Sequence, residues 1–351
     1  YSEKCRNITP EQRAKYIAEG RKPVVRFAVP KDREIVFNDL VKGELKFDSN
    51  LIGDFVIQKS NNTPTYNFAV VIDDMEMKIS HIIRGEDHIS NTAKQILIYE
   101  ALGAEVPKFG HLGMILATDR SKLSKRHGAT AVSDFVKQGY LTEALVNFVA
   151  LLGWAPSDGQ EVKSVDAIAQ DFRINEISSS NSIFEYDKLN WMNSHYIKML
   201  PIKELKERLK PYLTKYDLTE LSDAEYTRMV EITYEPLTLL SDITDAVPYF
   251  FGDSVEIDEQ TQTEVIDTEA SQDVLKAFVE QAQDWTWTEE NLHEKLEVFR
   301  GEFKEKGIKP KATMWAIRAA ITGRTRGADM TATLAIIGKD KAIKRAKAAI
   351  K

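Results

Sequence analysis

Ile79-Ser80-His81-Ile82-Ile83-Arg84-Gly85-Glu86-Asp87-His88 is the segment from which the architecture of this 351-residue chain can be built. Ile79 to Ile83 reads as a short strand and residues 84–88 as a polar turn. Ser90 and Asn91 are expected to cap a helix from Thr92 to Leu102, with Gly103 as its stop. His111 to Leu116 returns as a second strand, buried over Leu112 to Leu116. A strand–loop–helix–strand unit of this kind belongs to a parallel α/β sheet, whose ligands sit at the carboxyl ends of the strands. A second polar loop, Lys122-Leu123-Ser124-Lys125-Arg126-His127-Gly128, leaves the second strand, so both loops are expected at one crevice.

Three permanent cations in a loop after a strand suit oligophosphate oxygens. Lys122 and Lys125 act as mobile point charges, and Ser124 and the backbone N–H groups near Gly128 supply neutral donors. The alternative, a solvated basic turn or a contact to a nucleic-acid backbone, is the ordinary reading of an isolated basic pentapeptide. Arg84 suits a carboxylate, because its guanidinium presents a planar two-bond fork. The alternatives for Arg84 are an ion pair with Asp87 or with a surface Glu.

Upstream, residues 8–20 read as a helix with Thr9 as cap, Pro10 at the first position and Gly20 as stop. Short strands follow at Val24 to Val29, Glu34 to Phe37, Glu44 to Phe47 and Asp54 to Gln58. The apolar run Tyr66 to Ile72 is expected as one more strand. Downstream, Val132 to Leu152 reads as helical, Pro156 to Gly159 as a turn, and Ile174 to Asn190 as a looser connector. Leu292, Leu296, Phe299 and Phe303 recur at helical spacing between Thr288 and Lys306, and two further helices end at Gly323 and Gly338. Ser254 to Glu269 reads as a long polar surface loop, and no alternating strand pattern is visible after residue 200.

A hydrophobic content of 43% and a charged content of 29% fit a globular chain rather than a disordered or membrane-embedded one. No apolar run reaches membrane-spanning length. The lone cysteine, Cys5, excludes an internal disulfide framework and suits a reducing compartment, so the cytoplasm is the expected location. A net charge of −7 argues against a generic nucleic-acid binder, yet residues 215–297 carry a net −18 and residues 304–351 a net +10. That asymmetry makes the basic tail the candidate RNA contact, with a solvated helical face as its alternative.

Tyr66-Asn67-Phe68-Ala69, Ile82 to His88 with Asn91-Thr92, and Lys122 to Gly128, in this order and spacing, resemble bacterial glutamyl-tRNA synthetase. Residues 139–154, Leu189-Asn190-Trp191 and His195-Tyr196-Ile197 continue the resemblance, which runs to the C-terminus and is weakest over 200–300. It implies an α/β class I synthetase nucleotide-binding fold carrying an inserted α+β domain, followed by an all-α C-terminal region. The implied parts are the acceptor-stem-binding insertion and the return to the sheet (1–78), the second half of the catalytic fold (79–128), a stem-contact helical domain (129–200) and an anticodon-binding region (201–351).

The resemblance makes Lys122 to Arg126 the family's second signature, with Arg126 standing where many relatives have Ser. Lys122 and Lys125 are then catalytic, and Glu86, Asp87, His88, Leu123, Ser124 and Arg126 join them around ATP. Tyr66 and Arg84 line the glutamate pocket, and Lys309, Lys311, Arg318, Arg324 and Arg326 contact tRNA. Mg²⁺ is expected with ATP, and tRNA(Glu) as partner to a monomer away from membranes. The family's first signature, of the His-x-Gly-His type, is absent, so this stretch alone is expected to be inactive. Tyr1 and Cys5 have the spacing of one half of a zinc site found in some relatives; a site needs about four ligands, so no zinc is expected. The rival readings are a glutaminyl-tRNA synthetase, which ends in β-barrels, and a non-catalytic tRNA-binding module.

Overall fold

The computed structural model describes residues 4–124, 126, 128 and 131–351, with the side chains of residues 4 and 5 excepted. Lys125, His127, Tyr1 and the Cys5 side chain therefore lie outside the described residues. The chain divides into two compact units, Tyr1–Gly128 with Val146–Glu185, and Ala129–Leu145 with Tyr186–Lys351. Among the described residues no helix is long and apolar enough to cross a membrane.

In the first unit, α1 (Pro10–Ala18) starts in a reciprocal capping box between Thr9 and Gln12, as the Thr-Pro-Glu-Gln signal leads one to expect. Strand β1 (Val25–Phe27) pairs antiparallel with β4 (Phe55–Gln58), and β2 (Glu34–Asp39) with β3 (Gly43–Asp48); the one-turn helix α2 (Ser49–Ile52) lies between β3 and β4 in sequence. Rings lock these ribbons, Phe27 stacking on Phe55 and Phe37 on Phe47.

Tyr66–Glu76 is a helix, α3, and not the expected strand. Val70, Val71 and Ile72 give the run its local β character, but Phe68 and fully buried Val71 lie on one helical face against α4 (Ile89–Leu102), and that packing overrides propensity. The helix α4 also begins earlier than Ser90 and Asn91 suggest. A 3-10 turn, Glu86–His88, runs directly into it without a side-chain cap, and Gly103 closes it in the left-handed conformation.

The parallel pair is present. Strand β5 (His81–Gly85) lies beside β6 (Lys108–Leu112), with Arg84 opposite His111 and Gly85 opposite Leu112. The second strand is shifted toward the N-terminus of the expected run and breaks at Gly113. A Cβ on Gly113 would stand 2.1 Å from the carbonyl oxygen of Ser180, so the backbone leaves the ladder there. It resumes as β7 (Ile115–Leu116).

The expected Val132–Leu152 helix is two, α5 (Val132–Gln138) and α6 (Thr142–Gly153), parted at Gly139 with φ +99°. A Cβ at Gly139 would meet the backbone nitrogens of Ser241 and Leu240 at 2.6 and 2.8 Å. After α7 (Val165–Asp171), the supposed loose connector contains β8 (Ser182–Ile183), parallel to β7, and gives way to α8 at Tyr186 (Tyr186–Met199). Two-residue strands carry too little alternation to be seen in sequence.

The second unit continues with α9 (Ile202–Leu209), α10 (Asp223–Thr233), α11 (Ile243–Ala246), α12 (Glu259–Thr261), α13 (Glu269–Gln281), α14 (Glu289–Glu305), α15 (Pro310–Thr322), α16 (Met330–Ile337) and α17 (Lys339–Ala348). The periodic apolar positions of α14 are all buried, Phe299 packing with Phe278, Trp285 and Phe303. Helix α17, which no cap or stop announced, buries Ala342, Ile343 and Ala346. Residues 254–269 are not an unanchored loop, because Ile266 is fully buried against Leu275, Ala319 and Ala320. Among the described residues no strand follows Ile183.

Candidate functional site

The carboxyl ends of β5 and β6 place Arg84 and His111 side by side, both turned toward α4. Arg84 Nη2 donates to Thr92 Oγ1 (2.6 Å) and Gln95 Oε1 (2.7 Å), and Arg84 Nε to His111 Nε2 (3.3 Å). Its third nitrogen, Nη1, makes none of these bonds, and the Tyr66 phenol stands beside the guanidinium. Among the described residues no ion pair of Arg84 with Asp87 or a surface Glu forms. Burial lowers the Arg84 pKa from its usual value, but a guanidinium remains charged. The fork is thus held by neutral partners and keeps its full positive charge for an anion.

The hydrogen bonds extend in both directions. Gln95 Nε2 donates to Asn67 Oδ1 (3.0 Å), Asn67 Nδ2 to Asn91 Oδ1 (3.4 Å), and Asn91 Nδ2 meets His88 Nδ1 at 3.3 Å. The His88 ring lies 5.9 Å from that of Tyr66. Helix α3 accounts for this grouping, since a helix starting at Tyr66 sets Tyr66 and Asn67 in its first turn facing β5 and α4. On the other side, His111 Nδ1 lies 2.6 Å from Asp39 Oδ2, and both side chains are wholly buried.

The acidic residues of the turn are already matched. Glu86 Oε2 accepts from Lys42 Nζ at 2.5 Å, and Lys42 also donates to the carbonyl of Ser179 (2.6 Å). Asp87 faces Lys122 at 3.4 Å, an exposed pair of small energetic weight. Lys122 is reached by a tight reversal: Ala117 N–H donates to Ser121 O, Arg120 sits at φ +63°, and Lys122 bridges antiparallel to Leu116. Leu123 N–H then donates to Ile115 O at 3.3 Å, while Ser124 is half-buried and Arg126 exposed. Arg84, Tyr66, Glu86, Asp87, His88 and Lys122 therefore belong to one neighbourhood of the first unit, although Glu86 is bound to Lys42.

Residue types alone did not single out Asp39, His111, Lys42 or Gln95. A histidine in the apolar run Phe109 to Leu112 was the available signal, since a buried imidazole needs partners on both nitrogens.

In the second unit the basic candidates are spread out. Arg318 is half-buried, donates to the carbonyl of Ala328 (2.7 Å) and holds the turn at Gly327. Arg324 lies over the Tyr249 ring and donates to Asp245 O. Arg326 and Lys309 are exposed, and exposed Lys311 stands 4.4 Å from the centre of the Trp315 ring. Much of the remaining tail charge is spent internally: Lys341 pairs with Glu220, Lys344 with Asp253 and Lys351 with Asp267. Arg345, buried, donates to the carbonyls of Tyr249, Ile321, Phe251 and Gly252. The charge asymmetry is thus partly a folding device, and α17 is not a free basic face.

The family described as "tRNA synthetases class I (E and Q), catalytic domain" matches residues 1–191, and the anticodon binding domain family matches residues 204–350. The glutamate–tRNA ligase of Carboxydothermus hydrogenoformans is 42% identical over 351 residues, 98% of this chain and 72% of that protein. The glutamate–tRNA ligase of Bacillus subtilis is 41% identical over 99% of this chain and 73% of its own length. Among solved structures, a glutamate tRNA ligase from Elizabethkingia meningosepticum, crystallised with its amino acid, has a TM-score of 0.87 at 29% identity, over 99% of this chain and 73% of that one. With its parallel strand pair, its lysine-bearing loop and its helical C-terminal region, the chain belongs to the class I tRNA synthetase family of the glutamate and glutamine enzymes, among the glutamate–tRNA ligases.

Proposed function

We propose that this chain carries the glutamate- and phosphate-facing part of an enzyme that activates glutamate with ATP and transfers it to tRNA(Glu). The single observation that carries this reading is Arg84: a charged fork, held by neutral partners at the carboxyl end of a parallel strand, with Nη1 uncommitted to them and Tyr66 alongside. A guanidinium so held favours glutamate over glutamine by charge as well as by shape. Activation is an in-line attack of the α-carboxylate on the α-phosphate of ATP and needs no protein nucleophile. The protein contributes positioning and stabilisation of charge on phosphate oxygens.

In this reading Lys122 and Lys125 meet the phosphates, with Ser124, Leu123 and Arg126 shaping the loop. Asp87 and His88 lie toward the nucleoside, and Glu86, bound to Lys42, shapes that wall. Mg²⁺ enters with ATP and neutralises phosphate charge; no zinc is invoked. Lys309, Lys311, Arg318, Arg324 and Arg326 serve tRNA, the exposed members directly and Arg318 by holding its turn. The division at residues 78, 128 and 200, a monomeric state and a cytoplasmic location complete the proposal. A glutaminyl enzyme is disfavoured, since the described residues after Ile183 form helices where that enzyme has β-barrels.

The test is glutamate-dependent ATP–pyrophosphate exchange, with tRNA present, by the gene product that carries this chain. Lys125→Ala is expected to abolish exchange and leave tRNA affinity nearly intact. Retained RNA binding without any exchange in the unmutated protein would make it a binding module instead. A uniform loss of tRNA affinity in the variant would reduce the loop to a backbone contact.

A further inference from the structure

The buried pair beneath Arg84 is not used by the chemistry described so far. Asp39 lies at the end of β2, 72 positions from His111 in sequence, and both side chains are fully withdrawn from solvent. Asp39 Oδ1 accepts three backbone N–H groups, from Val41 (2.9 Å), Lys42 (2.9 Å) and His111 (3.1 Å). Oδ2 takes the His111 ring at 2.6 Å. An ionised carboxylate only accepts, so the proton between them sits on His111 Nδ1. The opposite nitrogen, Nε2, stands 3.3 Å from Arg84 Nε and 3.0 Å from Thr92 Oγ1. Arginine only donates, so Nε2 must be a lone pair. The two ends of the imidazole therefore demand the same neutral tautomer.

We propose that Asp39 and His111 are positioning residues of the amino-acid site: the buried carboxylate holds His111 in its Nδ1–H tautomer, and the Nε2 lone pair so presented aims the Arg84 guanidinium. The inference rests on the reading of Arg84 as the carboxylate-binding group. Three donors converge on Oδ1 and fix the carboxylate, the carboxylate fixes the ring, and the ring fixes Nε of the fork. Thr92 and Gln95 hold Nη2, so Nη1 is the nitrogen that none of these three partners takes. A ring with the opposite tautomer, or a protonated one, would turn an N–H against the guanidinium N–H and push the fork out of line. Burial, which opposes a charged imidazole and outweighs the attraction of Asp39, keeps the ring neutral.

Asp39→Asn changes almost no volume, yet it reverses this chain of bonds. The amide must keep its oxygen where three N–H groups converge, which leaves its NH₂ facing Nδ1 and drives the ring proton to Nε2. In the exchange assay with the gene product that carries this chain, the KM for glutamate is expected to rise by about tenfold or more, while that for ATP changes less than about twofold. Two variants at the ring separate aiming from packing. His111→Gln can place its amide oxygen near the Nε2 position and accept from Arg84; His111→Asn keeps the donor to Asp39 but offers Arg84 nothing. Glutamate KM should therefore rise more in His111→Asn than in His111→Gln. Nitrogen NMR of the imidazole should show Nε2 unprotonated in the unmutated protein and protonated in Asp39→Asn.

An Nε2–H in the unmutated protein overturns the inference, as does a parallel rise of both KM values that follows lost thermal stability. Arg84→Lys separates the two levels. If it leaves glutamate KM unchanged, the reading of Arg84 itself fails. If it raises glutamate KM while Asp39→Asn and His111→Asn do not, only the positioning role fails.

Discussion

Gly113→Ala tests whether the break between β6 and β7 is dictated by space. Its φ is not among the positive values, so backbone conformation does not call for glycine there. What does is proximity: an added Cβ would lie 2.1 Å from Ser180 O, 2.6 Å from Ser180 C and 3.0 Å from Asn181 N, all backbone atoms. Relief requires the two backbones to part by roughly 1 Å, an overpacking strain of about 1–3 kcal/mol. The parting also stretches the bonds from Met114 N–H to Asn181 Oδ1 (2.8 Å) and from Ser182 N–H to Met114 O (3.0 Å). Each contributes about 0.5–1.5 kcal/mol, so a local loss of about 2–4 kcal/mol is expected. Hydrogen exchange reads it directly. The amides of Ser182 and Phe184, which donate to Met114 and Leu116, should exchange roughly 30- to 1000-fold faster. Gly301→Ala is the control, because nothing lies within 4 Å of its added Cβ in the interior of α14. It should stabilise by about 0.5–1 kcal/mol. Acceleration below about fivefold at Ser182 and Phe184, or the same change in both variants, would refute the reasoning. The consequence reaches the site, since β7 is the strand that Lys122 bridges.

Phe299→Ala should cost about 3–5 kcal/mol, because the ring is 1% exposed and touches Phe278, Trp285 and Phe303; urea unfolding followed by tryptophan fluorescence would measure it. Burial holds the His111 pKa below its usual value, so the unfolded chain takes that proton first. Stability should therefore fall as pH drops below about 6.5, and His111→Gln should flatten that part of the urea-midpoint curve. Burial would raise the Asp39 carboxyl, but the N–H groups of Lys42, His111 and Val41 and the His111 ring outweigh it. Its contribution is therefore present above about pH 3.9 and lost as pH falls through the lowered folded value. The bond from Arg208 lowers Glu143 to about 2, and both partners are roughly a third exposed. Screening reduces the pair to about 1 kcal/mol, so Glu143→Gln should lose that much at pH 7 and converge with the unmutated protein as pH falls from 4.5 toward 2 in thermal melts.

How much was legible followed from how local each cause is. Thr9 with Gln12, Gly103 and the α14 stripe act within a turn or two of chain, and the structure has them where residue types placed them. Tyr66 to Ile72 misled because its β-branched run is local while the force that made it helical, burial of Phe68 and Val71 against α4, is not. The site divides in the same way. Arg84 and Tyr66 were readable from motif and chemistry, whereas Asp39, His111 and Lys42 matter through distant partners, Asp39 and His111 pairing across 72 positions and Lys42 with Glu86 across 44. The charged tail divides in the same way, since its excess of basic residues is local, whereas Lys341, Lys344 and Lys351 find acidic partners 84 to 121 positions distant, at Glu220, Asp253 and Asp267.

By itself the sequence determined the family, the parallel strand–helix–strand unit, the helical second half and the placement of Arg84 at a strand end, because each of these is written in short-range order: periodicity, caps and motif spacing. Only tertiary structure decided that Arg84 is gripped by neutral groups, that a buried carboxylate orients the imidazole behind it, and that Gly113 and Gly139 are places where two backbones meet. The physical reason is that a buried polar group must be matched and a close-packed interior admits no overlap. Both conditions are set by whichever distant segment folding brings alongside.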